Sequence, residues 1–262
     1  SEVEMKEKKD RVDDALHATE RLETFSLFLF LKLWDEIATG EEEVASGGKP
    51  AKNQQLIPDE YRFHKWASDP DTYAKTLGFQ DSVAFCNKMF EDLKTYKSTD
   101  ARSRDVRRLF DGTHLRIRYS TTIRALASKL QEIKLQEIMS RGVGENGERY
   151  DIFGRAYEFL LQQFGQNKEF AEYFTPRHID DHMIQIIDPA IGETIYDPAC
   201  GTGGFIVRAF EWVRDKIGQK RDGVEREGLI RQLKQKHLFG SEHVPLVFKL
   251  ALMNMILHRD GS

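Results

Sequence analysis

Asp197-Pro198-Ala199-Cys200-Gly201-Thr202-Gly203-Gly204-Phe205 is the stretch on which the reading of this chain turns. A strand-like run, Glu193-Thr194-Ile195-Tyr196, leads into it, and the amphipathic stretch from Phe205 to Ile217 follows, so the glycines sit on a strand-to-helix turn. Such a turn lets a ligand approach the backbone where a side chain would collide, with helix N-terminal amides pointing at it. The spacing departs from the dinucleotide fingerprint G-x-G-x-x-G: the glycines are tighter and an acid, Asp197, opens the loop. A carboxylate gives nothing to a phosphate. It suits a ligand that carries an ammonium and a sulfonium, which points to S-adenosylmethionine rather than NAD or a nucleoside triphosphate.

Outward from the turn, the second half alternates helix and strand. Ile152 to Phe164 and Ile179 to Ile187 read as helices, and a charged stretch, Gly218 to Arg226, follows the helix that begins at Phe205. Leu229 to Lys236 reads as helical and His237 to Gly240 as a second strand that ends at Glu242; Pro245 opens a final helix to His258. This order predicts a doubly wound α/β sheet of which only the first strands are present. In open α/β sheets ligands bind beyond the carboxyl ends of the strands, where both Asp197 and Glu242 fall. A carboxylate at the second position can accept both hydroxyls of a ribose, although an exposed acid at a strand end is also an ordinary feature.

The wording of the glycine turn resembles motif I of the N6-adenine DNA methyltransferases, and most of all the modification subunit of type I restriction–modification systems. Glu172-Tyr173-Phe174-Thr175-Pro176-Arg177 resembles the family's motif X, which precedes motif I in this permuted class. Gly240-Ser241-Glu242, followed by Ala251-Leu252-Met253-Asn254-Met255-Ile256-Leu257-His258, resembles motif II and its helix. The resemblance is strong from Tyr150 onward and weaker over Arg107-Arg108-Leu109-Phe110-Asp111-Gly112. It implies a cofactor site for S-adenosylmethionine built from Glu172, Tyr173, Phe174, Thr175, Pro176, Arg177, Asp197, Pro198, Gly201, Thr202, Gly203 and Glu242. On this reading a side chain at Gly203 would occupy the cofactor's space. Thr175 and Pro176 also fit an ordinary helix start, as N-cap and first helical residue, and that reading is compatible with the functional one.

The resemblance further implies methylation of adenine N6 in DNA, with DNA, a specificity subunit and a restriction subunit as partners. The family's acceptor motif, Asn/Asp-Pro-Pro-aromatic, does not occur; Asp188-Pro189-Ala190 and Asp197-Pro198-Ala199 are the nearest strings. No catalytic residue is therefore assigned, and the chain alone is expected to be inactive. A non-catalytic assembly module, or a methyltransferase acting on RNA or protein, stays open beside this reading.

The first half reads as helical. Val12, Leu16, Leu22, Phe25, Leu29, Leu33 and Ile37 recur at helical spacing, and Phe28, Phe30, Leu31 and Trp34 make that helix apolar on nearly all sides, as a buried helix is. Gly40 to Gln55 reads as a loop, Asp81 to Tyr96 and Ile123 to Met139 as further helices. The glycine-rich segment Gly142 to Gly147 marks the boundary between a helical domain, residues 1–146, and the first part of the methyltransferase domain, residues 147–262. The fold class expected is thus an N-terminal helical domain followed by a Rossmann-like S-adenosylmethionine-dependent domain, cut off after its first strands.

Composition sets the outer bounds. The chain has 262 residues, 40% hydrophobic and 31% charged, with a net charge of −4. That balance does not announce a nucleic-acid binder, which works by neutralising phosphates. Arg102, Arg104, Arg107, Arg108, Arg116, Arg118 and Arg124 nevertheless crowd one region, either as a solvated helix face or as a docking surface for DNA or a subunit. The longest apolar block, Phe25 to Leu33, is interrupted by Ser26 and Lys32 and falls short of the ~18 residues of a membrane span. The mixed-charge N-terminus does not read as a signal peptide, and the two cysteines, Cys86 and Cys200, build no disulfide framework, so a cytoplasmic protein is expected. Cys200 is read as a small turn residue rather than a nucleophile, for want of a nearby base, and the histidines lack metal-ligand spacing.

Overall fold

The computed structural model describes residues 21–39, 55–100, 102–133, 175, 177–220 and 223–259. The chain divides into two compact units, Ser1–Arg149 and Tyr150–Ser262. The expected break after residue 146, the loop 40–54, the stretches 1–20 and 134–139 of expected helices, and the helix 152–164 lie outside the described residues.

In the first unit a helix, α1, runs through residues 21–39, and every residue from 26 to 35 is buried. The all-round apolar pattern thus has its physical counterpart in burial on all sides. Two charged side chains go in with it and find partners: Lys32 bonds Glu36 and the carbonyl of Ile133, and Asp35 accepts from Arg62 Nε at 2.7 Å. Asp35 also takes the backbone amide of His64 at 2.7 Å, which pins the start of helix α2 (Phe63–Trp66) against α1. Removing one partner of a buried ion pair typically costs about 3–5 kcal/mol, so this link is structural rather than ornamental.

Helices α3 (Pro70–Thr76), α4 (Ser82–Thr95), α5 (Ser103–Phe110) and α6 (Ser120–Glu132) follow, α4 packing against α3, α5 and α6. Asp69 and Asp81 cap α3 and α4 by accepting from Thr72 N and Ala84 N. Trp66 is fully buried and meets Phe28 and Phe63 edge-on, with ring centroids 5.7 and 4.9 Å away. The short helices α2, α3 and α5 did not figure in the sequence reading. They have too few turns to display a helical period, and of the three only α3 has a side-chain cap, so tertiary packing fixes them. Cys86 lies in this core with its thiol pushed well above its ordinary range by burial.

Among the described residues the second unit comprises α7 (Arg177–Ile187), β1 (Ile195–Asp197), α8 (Gly204–Lys220), α9 (Gly223–Gln232), a π-helical turn over Leu233–His237, β2 (Leu238–Gly240) and α10 (Pro245–Arg259). The two strands pair in parallel, Ile195 beside Leu238 and Asp197 beside Gly240, with the two helices between them as the crossover that parallel pairing demands. Ile206, Phe210, Val213 and Ile217 of α8 form a core with Ile184, Ile230 and Leu238, and Ile195 packs against it. Tyr196 and Phe239 stand on the opposite sheet face, 58% and 48% exposed.

Arg208 joins α7 to α8, donating to Asp181 at 2.6 Å and Glu211 at 2.7 Å. Asp188 ends α7 at φ +48°; its carboxylate takes Trp212 Nε1 at 3.1 Å and also bonds Lys216. The charged stretch after Ile217 is corrected: α8 continues to Lys220 and α9 already starts at Gly223. Its Lys, Arg and Glu residues are good helix formers, and an exposed helix needs no apolar stripe along its whole length. Architecture is thus mostly helical, with a two-stranded parallel sheet among the described residues.

Candidate functional site

Both strand ends open onto one place. Ser241 N donates to the carbonyl of Asp197 at 2.9 Å and Cys200 N donates back to the carbonyl of Ser241 at 2.9 Å, carrying the strand pairing into the two loops. Asp197 folds its own loop by accepting from Ala199 N at 3.1 Å. Gly201 and Gly203 lie at φ +55° and +81°, a region that L side chains seldom occupy. Gly203 N bonds the carbonyl of Cys200 at 2.8 Å, and Val207 N bonds the carbonyl of Gly203 at 2.9 Å as α8 winds up.

Glu242, half-buried, reaches across from the second strand end. Its Oε2 accepts from Gly201 N at 3.0 Å and its Oε1 from Val244 N at 2.7 Å. A carboxylate has about four acceptor positions, so two amides fix its orientation and leave acceptor capacity for a ligand. The glycine turn and the acid are therefore not merely neighbours; the acid holds the turn.

The role of Gly203 is revised by the structure. A Cβ there would come within 3.3 Å of Met255 Cε and 3.6 Å of Ala251 Cβ, so it would point at α10 rather than into ligand space. Gly240, which the sequence reading placed only in a motif, is the more tightly constrained glycine. A Cβ on it would lie 2.4 Å from Ile206 Cδ1 and 3.0 Å from Cys200 Sγ. Asn254 was likewise unforeseen as a contact. It is fully buried on α10 and donates to the carbonyl of Thr202 at 2.8 Å. A lone amide within the apolar run Leu250 to Leu257 was the available signal.

Cys200 carries a thiol pushed up to about 11 by burial first and then by the negative charges of Asp197 and Glu242. It is a thiol at neutral pH and packs under the turn, with no thiolate to act as nucleophile. Pro198 is exposed at the loop's outer edge. Thr175 is exposed just ahead of α7, and Arg177 is the first residue of that helix; Glu172, Tyr173, Phe174 and Pro176 lie outside the described residues. The first loop and Glu242 thus come together, and the upstream segment is represented by Thr175 and the backbone of Arg177 alone.

The arginine region resolves into separate jobs. Arg102 pairs with Asp100 and lies over the Trp34 ring at 4.5 Å, and Arg107 donates to the carbonyl of Tyr96 at 2.9 Å. Arg124 pairs with Asp71 at 2.8 Å and Arg108 with Asp105 at 3.6 Å, while Arg104 and Arg118 are exposed. No helix among the described residues is long and apolar enough to cross a membrane.

The parallel strand pair carries a glycine turn at one strand end and a tethered acid at the other, and residues 148–260 match the family model of the N-6 DNA methylases. The chain is similar over 91% of its length to the methylase subunit of the type I restriction enzyme EcoEI of Escherichia coli, at 30% identity, and covers 44% of that relative. Among solved structures it is similar to a modification subunit of a putative type I restriction enzyme from Vibrio vulnificus, with a TM-score of 0.67 and 25% identity over 91% of this chain and 48% of that one. A second, from a study of complex assembly and conformational transition of the type I R-M system, gives a TM-score of 0.56 and 28% identity over 92% of this chain and 44% of that one. Residues 148–260 are thus similar to the N-6 DNA methylases, and the chain is similar to type I methylase subunits, of which it spans less than half the length.

Proposed function

We propose that this chain is the helical N-terminal domain and the first part of the S-adenosylmethionine-binding domain of a type I modification subunit, a cytoplasmic adenine-N6 DNA methyltransferase. The two parallel strands are on this reading the start of a Rossmann-like sheet. The observation that carries the proposal is the Glu242 carboxylate held by Gly201 N at 3.0 Å, which ties the two strand ends together beside the acids Asp197 and Glu242. That set of acceptors fits S-adenosylmethionine, whose ribose offers two hydroxyls and whose methionine end offers an ammonium. It does not fit a triphosphate.

When bound, the cofactor supplies a methyl group on a sulfonium for in-line displacement. Glu242 accepts the ribose hydroxyls with the acceptor positions that its two amide bonds leave free. Asp197 sets a negative charge at the mouth of the turn, and the Gly201–Gly203 turn lets the ligand lie against the backbone. Thr175, Arg177 and the segment from Glu172 belong to the methionine end on this reading. The adenine must be flipped out of the duplex, and its amine needs acceptors and an aromatic face. No Asn/Asp-Pro-Pro-aromatic string is present to provide them, so these 262 residues alone are expected not to methylate DNA. DNA, a specificity subunit and a restriction subunit are the proposed partners. The helical unit serves assembly and closure on DNA, with Arg104 and Arg118 among its exposed cations.

Calorimetric titration of the complete polypeptide with S-adenosylmethionine tests the site. Glu242→Ala should weaken binding about ten- to a hundredfold, the range for lost hydrogen bonds to a charged group. Unchanged affinity in a folded variant would remove Glu242 from the site. Binding with no transfer to DNA by the complete complex would turn attention to RNA or protein acceptors.

A further inference from the structure

Asn254 occupies an unusual position for an amide. It sits on α10, fully buried, among Leu250, Ala251, Met253 and Ile256, which are all buried as well. Its Nδ2 donates to the carbonyl of Thr202 at 2.8 Å, while its Oδ1 has no hydrogen-bond partner among the described residues. A buried acceptor left without a donor is destabilising, and such groups are rare in folded chains. An apolar side chain of the same size would avoid that cost, so the donor must matter more than the orphaned acceptor.

What the donor holds is the peptide between Thr202 and Gly203. Its N–H end is fixed by the carbonyl of Cys200 at 2.8 Å, and its C=O end by Asn254. Gly203 lies at φ +81° and, as a glycine, accepts the opposite sign of φ about as readily, so this peptide can rotate over at little steric cost. Ala251 and Met255, one helical turn apart on the same face of α10, press on Gly203 from behind but offer no polar group to either end of the peptide. Asn254 supplies the directional bond that packing cannot.

We propose that Asn254 is a positioning residue of the cofactor site, locking the Thr202–Gly203 peptide so that the turn keeps its ligand-binding shape. The inference rests on the assignment of the turn to S-adenosylmethionine. Asn254 touches no ligand; it acts through the backbone of the turn.

The test uses the complete polypeptide with two near-isosteric variants and calorimetric titration with S-adenosylmethionine. Asn254→Leu removes both the donor and the orphaned acceptor. Its urea midpoint should match or exceed that of the wild type while its cofactor affinity falls by about five- to tenfold, the worth of one neutral hydrogen bond. Asn254→Asp adds a signature that a packing role would not produce. Its carboxyl, raised in pKa by burial, donates to the Thr202 carbonyl when protonated and repels it when ionised. Affinity should therefore recover as pH falls, relative to wild type measured at each pH. If Asn254→Leu does not fold, the pH profile of Asn254→Asp decides. Wild-type affinity in folded Asn254→Leu, or an Asn254→Asp profile parallel to wild type, overturns the role of Asn254 while leaving the site intact. Absence of binding by wild type, or insensitivity to Glu242→Ala, instead overturns the cofactor assignment and this inference with it.

Discussion

Replacing Gly240 by alanine sets a methyl group against Ile206 and Cys200 at the junction of the two strand ends. Gly240 does not lie at positive φ, so backbone strain does not confuse the result. The new methyl would come 2.4 Å from Ile206 Cδ1, and 3.0 and 3.1 Å from Cys200 Sγ and Cβ. Carbon atoms rest about 3.5–4.0 Å apart, so Ile206 must retreat by over an ångström, roughly. Ile206 is 5% exposed on the first turn of α8 and has core on its far side, so the retreat strains its rotamer or moves the helix. Overpacking of this kind costs about 1–3 kcal/mol. Ile206→Val deletes the clashing methyl and alone costs about 0.5–1.5 kcal/mol. In the Gly240→Ala background the same change should cost nothing or stabilise, a coupling of about 1 kcal/mol or more between touching residues. Urea unfolding of the four proteins gives the cycle, with hydrogen exchange over Phe205–Ile217 confirming that the affected unit is the second. Additive effects, or a Gly240→Ala variant as stable as wild type, would refute the argument that the strand end admits no side chain.

Two further predictions concern titration. The Cys200 thiol, held up to about 11 against an ordinary 9.0, should contribute stability fully present below pH 9.0 and lost as pH rises toward 11. Iodoacetamide should accordingly modify it slowly at pH 7–8, and Cys200→Ala should keep cofactor binding; rapid alkylation at pH 7 with loss of binding would restore a reactive role. Asp71, lowered from 3.8 to about 2 chiefly by its hydrogen bond from Ser82 and then by Ser120 and Arg124, behaves oppositely. Its contribution is present above 3.8 and disappears as pH falls through about 2, so Asp71→Asn should be less stable than wild type at neutral pH and converge with it near pH 2. Parallel acid-unfolding curves for the two proteins would contradict this.

Local sequence settled what depends on short-range chemistry. The strand-to-helix turn at Asp197–Phe205, Pro245 opening α10 and the buried character of α1 follow from residue type, spacing and period, and all three appear where residues alone place them. Cys200, read as a small turn residue, lies in that turn as well. These properties belong to one element and its immediate neighbours. Tertiary structure decided what depends on which elements meet. Nothing near Gly240 in sequence announces Ile206, thirty-odd residues earlier, as the side chain that must give way to a methyl there. Gly203 looked like a ligand-facing glycine until α10, about fifty residues later, was brought behind it. Glu242 was legible as an acid at a strand end, but only the parallel register that sets Asp197 beside Gly240 turns it onto Gly201 N. The arginines read as one cluster because sequence shows proximity along the chain. Folding spent Arg102 on Trp34 and Asp100, Arg107 on Tyr96 and Arg124 on Asp71, and left Arg104 and Arg118 facing solvent. Direction of a side chain is a property of the assembled fold, because it is fixed by packing partners that are distant along the chain.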